Sequence, residues 1–168
     1  MHLSKFKKYY FIDDFNPIHL KDLDKNITLI WRPKDKIHRI ETIYKLYNFC
    51  KRNRLKLILS NNVKLAIKLN LNGVYLPAFN KKLNLKNINC AKNFKIIGSA
   101  HNVREVRIKE KQKCEKIFIS PIFKTEKSKK YLDTIKFNLI ANKTKKQVVG
   151  LGGINSKNLK RINLTKSC

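Results

Sequence analysis

The strongest constraint on this chain is the recurrence of short apolar runs, rich in β-branched and aromatic residues, with helix-period segments between most of them. Seven such runs follow one another: Tyr9–Ile12, Ile27–Trp31, Lys56–Leu59, Gly73–Leu76, Lys95–Ser99, Lys116–Ile119 and Gln147–Leu151. Strands alternating with helical segments are the sequence form of a parallel α/β architecture, since parallel strands need a long crossover to return the chain to the same end of the sheet. Unbroken apolar stretches such as Ile117-Phe118-Ile119 imply burial on both faces, as expected where helices cover a parallel sheet or ring. Order and composition alone do not separate a closed barrel from an open doubly wound sheet.

Between the second and third runs, Ile37, Ile40, Tyr44 and Tyr47 fall at three- and four-residue spacing, which predicts a helix with these residues inward and the intervening Lys, Arg and Glu in water. Val63–Leu69 and Val103–Lys113 read as further crossover helices, the second placed by Asn102, a residue type that caps the free donors of a first turn. Tyr131–Asn142 and the stretch after Asn155 carry weaker helical patterns. The connection between the first two strands is short and contains Pro17, so no full crossover helix is expected there. With no linker, low-complexity segment or internal repeat, residues 1–168 are expected to form a single domain.

At 168 residues and 42% hydrophobic, the chain can bury a real core. Its formal charge of +28 suggests attraction to phosphate. Lys, Asn and Ile share AT-rich codons, however, and the lysines are scattered along the chain instead of forming a basic arm. A basic nucleic-acid-associated protein is therefore kept only as the alternative of another class. Cys50, Cys90, Cys114 and Cys168 lie far apart with no paired spacing, which indicates neither zinc nor a redox motif and fits reduced thiols in a cytoplasmic protein. The basic start, Lys5 to Lys8, meets an apolar stretch too short for a signal-peptide core, and no run approaches the length of a membrane span.

A series of short motifs falls at or just beyond the predicted strand ends: Trp31-Arg32-Pro33-Lys34, Leu59-Ser60-Asn61-Asn62, Gly73-Val74-Tyr75-Leu76, Ile97-Gly98-Ser99-Ala100-His101, Ser120-Pro121-Ile122-Phe123-Lys124-Thr125 and Val149-Gly150-Leu151-Gly152-Gly153-Ile154. Their order over nearly the whole chain resembles the thiamine-phosphate synthase/TenI family. The resemblance implies a TIM-type (β/α) barrel whose active face lies at the C-terminal strand ends. It also implies a reaction in which a pyrimidine diphosphate loses pyrophosphate while a thiazole phosphate nitrogen attacks the pyrimidine methylene. Arg32 and Lys34 match the family's basic pair, Arg offering a planar fork to phosphate oxygens and Lys a mobile point charge. Ser99 matches a serine near the pyrophosphate. These three are the catalytic candidates, and Ser60, Asn61, His101, Thr125, Gly152 and Gly153 are the substrate-binding ones. The two glycines are expected to open a helix that binds phosphate with its free donors. Phosphorylated pyrimidine or thiazole compounds are the implied partners, and self-association into a homo-oligomer is left open.

The departures from that pattern bear on metal use. The family holds magnesium with carboxylates, but the position after the third strand is Asn61, and no carboxylate stands near Phe79 and Asn80, where a second is expected. The cofactor is thus left unassigned and no metal ligand is named. The glutamine before the basic pair is Ile30, and the Thr-x-Thr-Lys loop reads Thr125-Glu126-Lys127-Ser128, with Lys127 or Lys129 nearest to the missing lysine. Pro121 stands where TenI-type tautomerases carry a histidine. The family pattern continues beyond Asn163-Leu164-Thr165, so the barrel is expected to lack its eighth strand and final helix. These losses raise a second reading, a catalytically weakened barrel that binds a phosphate ligand as a regulator or partner subunit.

Overall fold

The computed structural model describes residues 8–83, 91–126 and 128–167. Its strands form a seven-stranded sheet in sequential order, β1 to β7. The chain groups into two compact units, Met1–Tyr75 with Cys90–Lys95, and Leu76–Asn89 with Ile96–Cys168.

In the first unit, β1 (Lys8–Ile12), β2 (Ile27–Trp31), β3 (Lys56–Ser60) and β4 (Gly73–Leu76) run parallel, with Ile12 opposite Trp31, Trp31 opposite Leu59 and Ser60 opposite Tyr75. Leu29, Ile30, Leu57, Leu59 and Val74 are wholly buried, as the near-continuous apolar runs require. The first crossover is one helical turn, α1 (Pro17–Leu20), with Pro17 at its first position and the Asn16 side chain accepting from the Ile18 N–H. A proline is suited to that position, where its missing N–H costs nothing. α2 spans Ile40–Arg52 and α3 spans Val63–Lys68, the latter capped by Asn62.

The buried face of α2 corrects the sequence reading. Ile43, Leu46 and Cys50 face the core, while Ile37, Ile40 and Tyr44 are exposed. Both sets repeat at three or four residues, so two apolar stripes run along one helix, and packing against the sheet selects the second.

The second unit contains β5 (Lys95–Ala100), α4 (Val103–Lys111), β6 (Lys116–Ile119), α5 (Asp133–Ala141), β7 (Gln147–Gly150) and a 3₁₀ helix (Leu159–Leu164). β5, β6 and β7 pair in parallel, with Ser99 opposite Phe118 and Ile119 opposite Gly150. Asn102 caps α4 as expected, its side chain accepting from the Glu105 N–H at 2.9 Å. Among the described residues no eighth strand follows. Ser167 makes a single parallel bridge to Val148, and its hydroxyl accepts the Gly150 N–H at 2.8 Å. Among the described residues no helix is long and apolar enough to cross a membrane. Cys50 and Cys114 are buried free thiols, each pushed up to about 12 by burial, and Cys90, Cys168 and the start at Lys5 to Lys7 lie outside the described residues.

Candidate functional site

In the first unit, the loop leaving β2 carries Arg32 and Lys34. The Arg32 N–H donates to the Ile12 carbonyl at 2.8 Å, continuing the parallel ladder by one residue and fixing the point from which the exposed side chain departs. Lys34, 84% exposed, pairs with Asp13 beyond β1 at 3.3 Å. Ser60 ends β3 and is buried. Asn61 follows with φ +59°, its N–H donating to the Tyr75 carbonyl at 2.7 Å, so this amide residue occupies a left-handed turn that Asn tolerates better than most side chains.

Two polar atoms in this region escaped sequence reasoning. The Trp31 indole N–H and His38 Nδ1 are buried with no hydrogen-bond partner among the described residues. A desolvated polar atom without a partner costs free energy on the order of 1–3 kcal/mol, so each is a place where an acceptor or water would be stabilising. His38 is also hydrogen-bonded to the Ser60 backbone, and its burial lowers its pKa below the usual imidazole value, partly offset by that bond. Nothing in the pattern around His38 signals this.

In the second unit, an open cleft of about 460 Å³ lies at the ends of β6 and β7, lined by Lys124, Thr125, Glu126, Gly153, Ile154 and Asn155. Sequence-predicted Thr125 and Gly153 therefore share one cleft, and Gly152 lies beside it, where an added Cβ would come 3.6 Å from the Thr125 methyl. The expected helix does not start at these glycines. Gly152 and Gly153 have φ +93° and +72°, and regular structure resumes only with the 3₁₀ helix at Leu159. A Cβ on Gly153 would overlap the carbonyl oxygens of Lys124 and Phe123, so glycine is required by close backbone approach as well as by φ. What the turn offers instead is a run of amides: the N–H groups of Gly152, Gly153 and Ile154 donate to no acceptor among the described residues. Successive free N–H groups in a turn form an anion-binding concavity without any helix.

The Thr125 hydroxyl accepts the Ser128 N–H at 3.0 Å, and the Asn158 side chain donates to the Gly153 carbonyl at 2.7 Å, so both walls of the cleft are tied down. Lys129 is exposed, and Lys127 lies outside the described residues. Ser99 is buried near the end of β5. His101 leads into α4, where the Glu105 carboxylate accepts from its backbone N–H at 2.7 Å and contacts Nδ1 at 3.0 Å. With Nδ1 as donor, Nε2 is left as the ring atom available to a ligand; the ring is 52% exposed.

One densely bonded polar cluster in this unit was invisible in the sequence. Lys109 of α4 is completely buried, and its ammonium donates to the carbonyls of Pro77 and Asn80 and to Gln112 Oε1, at 2.8, 2.8 and 2.9 Å. The Gln112 amide donates to the Asn80 carbonyl, Asn80 Oδ1 and the Lys82 carbonyl. Burial pushes the Lys109 pKa down to about 8, against a smaller upward pull from Cys114 and Glu105.

A magnesium site of the kind the resemblance implies does not fit these residues. Asn61 and Asn80 offer neutral amides, and the loop carbonyls of Pro77 and Asn80 already accept from an ammonium. Magnesium favours hard anionic oxygens in a near-octahedral shell. Among the described residues no group of three or more His, Cys, Asp or Glu is placed to hold a metal.

A family model described as thiamine monophosphate synthase matches residues 23–166. Among solved structures, the thiamine phosphate pyrophosphorylase from Pyrococcus furiosus is 18% identical and superposes with a TM-score of 0.68, covering 99% of this chain and 86% of that one. A U32 peptidase superposes with a TM-score of 0.59 at 10% identity, covering 95% of this chain and 76% of that one. At such identities the likeness is one of fold, and the fold is the α/β, TIM-like one expected. No curated protein matches the chain.

Proposed function

The chain belongs to the thiamine monophosphate synthase/TenI family, and from that premise we propose that it binds phosphorylated pyrimidine or thiazole compounds and acts as a cytoplasmic synthase-like transferase without a functional magnesium site. The observation that carries the reading is the run of free amides at Gly152, Gly153 and Ile154 beside Lys124 and Thr125. Phosphate oxygens satisfy several such donors at once, and the adjacent ammonium adds charge.

In this reading Arg32 and Lys34 are the proposed catalytic residues of the first unit and Ser99 that of the second, each in the role the family resemblance implies. The C–O bond between the pyrimidine methylene and its diphosphate breaks as the thiazole nitrogen forms a C–N bond to that methylene, and the electron pair leaves with pyrophosphate. Fixed donors and cations stabilise that departing charge. Arg32 has no acceptor for its guanidinium among the described residues, which leaves its fork open to a phosphate. Ser60, Asn61, His101, Thr125, Gly152 and Gly153 bind substrate.

The second reading is a barrel that binds such a ligand without turning it over, and the replacement of both expected carboxylates by Asn61 and Asn80 favours it. Incubating the purified protein with the pyrimidine diphosphate and the thiazole phosphate, with and without magnesium, separates the two. Thiamine phosphate in both samples supports the transferase. Ligand binding by calorimetry with no product supports the second reading, and neither binding nor product overturns both.

A further inference from the structure

We propose that Lys109 is an internal tethered cation that, together with Gln112, positions the loop after β4. The inference rests on the reading above only for what the loop serves; the anchor itself stands on geometry.

The loop Pro77–Lys82 turns back after β4, with the Asn80 N–H donating to the Pro77 carbonyl at 3.0 Å and the Lys82 N–H to Asn80 Oδ1 at 3.0 Å. These bonds shape the turn but do not attach it to anything. The end of α4 holds it, through two donations from the Lys109 ammonium and, from the Gln112 amide just beyond the helix, donation to the Lys82 carbonyl and a shared donation to the Asn80 carbonyl and Oδ1. The three oxygens around the ammonium, those of Pro77, Asn80 and the Gln112 side chain, all lie at 2.8–2.9 Å. An ammonium has three donors and no acceptor, so this environment saturates it.

The surroundings are built to admit the side chain. An added Cβ at Gly98 would lie 2.7 Å from Lys109 Cδ and 2.9 Å from Cys114 Sγ, so the glycine on β5 leaves the channel through which the lysine stem passes. A lysine is almost never fully buried without a partner that requires it. Here the partners are backbone and amide oxygens with no carboxylate among them, so the charge is not held by an ion pair. It performs a cation's task, drawing together carbonyls whose dipoles would otherwise repel.

The consequence is a loop fixed without an exchangeable ion. Phe79, 62% exposed, and Asn80 are thereby presented at the C-terminal end of β4 in one arrangement, with or without magnesium. Lys109 and Gln112 are positioning residues, acting through the loop.

The test is hydrogen–deuterium exchange of the full chain, reading the amides of residues 78–83. In Lys109→Ala and in Lys109→Met, exchange of the Asn80 and Lys82 amides should accelerate at least tenfold, with smaller changes in β5 and β6. Adding ethylammonium chloride to Lys109→Ala should restore protection, whereas sodium chloride or ethanol at equal concentration should not. A side chain that matters only for packing would instead be replaced adequately by methionine, so unchanged loop exchange in Lys109→Met overturns the proposal. Failure of ethylammonium to restore the alanine variant overturns the tethered-cation role; if that variant does not fold, the methionine variant decides. Titration with inorganic pyrophosphate separates the two layers: no binding by the unaltered protein contradicts the functional reading, while the exchange data decide the anchor.

Discussion

Lys34 and Lys109 show how differently one residue type is used in two regions of this molecule. Lys34 stands in the loop after β2, 84% exposed, and reaches Asp13 across solvent. Lys109 is wholly buried under the loop after β4, with three oxygen acceptors. The first loop can meet an anion with mobile charge that water and salt screen; the second region works through fixed backbone and a cation withdrawn from solvent. In a chain with 39 Lys and Arg, charge count says little and burial says almost everything.

If the second region depends on backbone geometry, Gly153→Ala should produce the largest effect. The new Cβ overlaps two carbonyl oxygens at a positive φ, so we expect a stability loss of roughly 2–4 kcal/mol and loss of anion binding at the cleft, read by chemical denaturation and calorimetry. A variant as stable as the parent would remove glycine from the account of that cleft.

The buried ammonium of Lys109 should be visible in the pH dependence of stability. Its folded pKa, about 8, lies below the ordinary lysine value of 10.5, so between those pH values the unfolded chain binds the proton that the folded chain has released. Stability should therefore rise with pH across that window, by roughly 2–3 kcal/mol at about 1.4 kcal/mol per unit. The other lysines titrate as well, so the quantity to measure is the difference between the parent and Lys109→Met in urea denaturation at pH 7 and pH 10. An equal pH response in both would show that the ammonium is buried without cost.

In the first region, Arg32→Ala should lower affinity for the pyrimidine diphosphate about tenfold, roughly 1.4 kcal/mol, while leaving the melting temperature unchanged. The smallest effect belongs to Lys34→Ala. Its exposed pair with Asp13 should contribute less than about 0.5 kcal/mol to stability, and any loss of diphosphate affinity should vanish at high salt.

What the sequence disclosed, and what it hid, follows the same division. The seven strands were legible because each is a short run rich in apolar residues, with the central ones such as Gly73–Leu76 and Lys116–Ile119 buried throughout, and Ile27–Trp31, Gly73–Leu76 and Lys116–Ile119 fall where the runs place them. Asn102 announced α4 because a cap is a local interaction. The inward face of α2 was misread because Ile37, Ile40 and Tyr44 offer a periodicity as good as Ile43, Leu46 and Cys50, and only the sheet decides between them. The glycine pair was expected to open a phosphate-binding helix, but no helix starts there, since both glycines take positive φ and the chain turns instead. Lys109 and Gln112 could not be found at all, because a buried lysine among so many exposed ones differs only in its long-range partners. Placement of the proposed site residues at strand ends was legible from motif order; their hydrogen-bond partners were not.

If phosphate is held by the protein's own cations and amides instead of magnesium, binding of the pyrimidine diphosphate should be nearly indifferent to the metal. The measurement is calorimetry of pyrimidine diphosphate binding, with magnesium and with chelator, on the unaltered protein and on Asn61→Asp. Affinity in the unaltered protein should change less than about threefold with magnesium and fall steeply with ionic strength, and a clear magnesium dependence should appear once the Asn61→Asp carboxylate supplies a hard anionic ligand. Strict magnesium dependence in the unaltered protein would contradict this mode of holding phosphate.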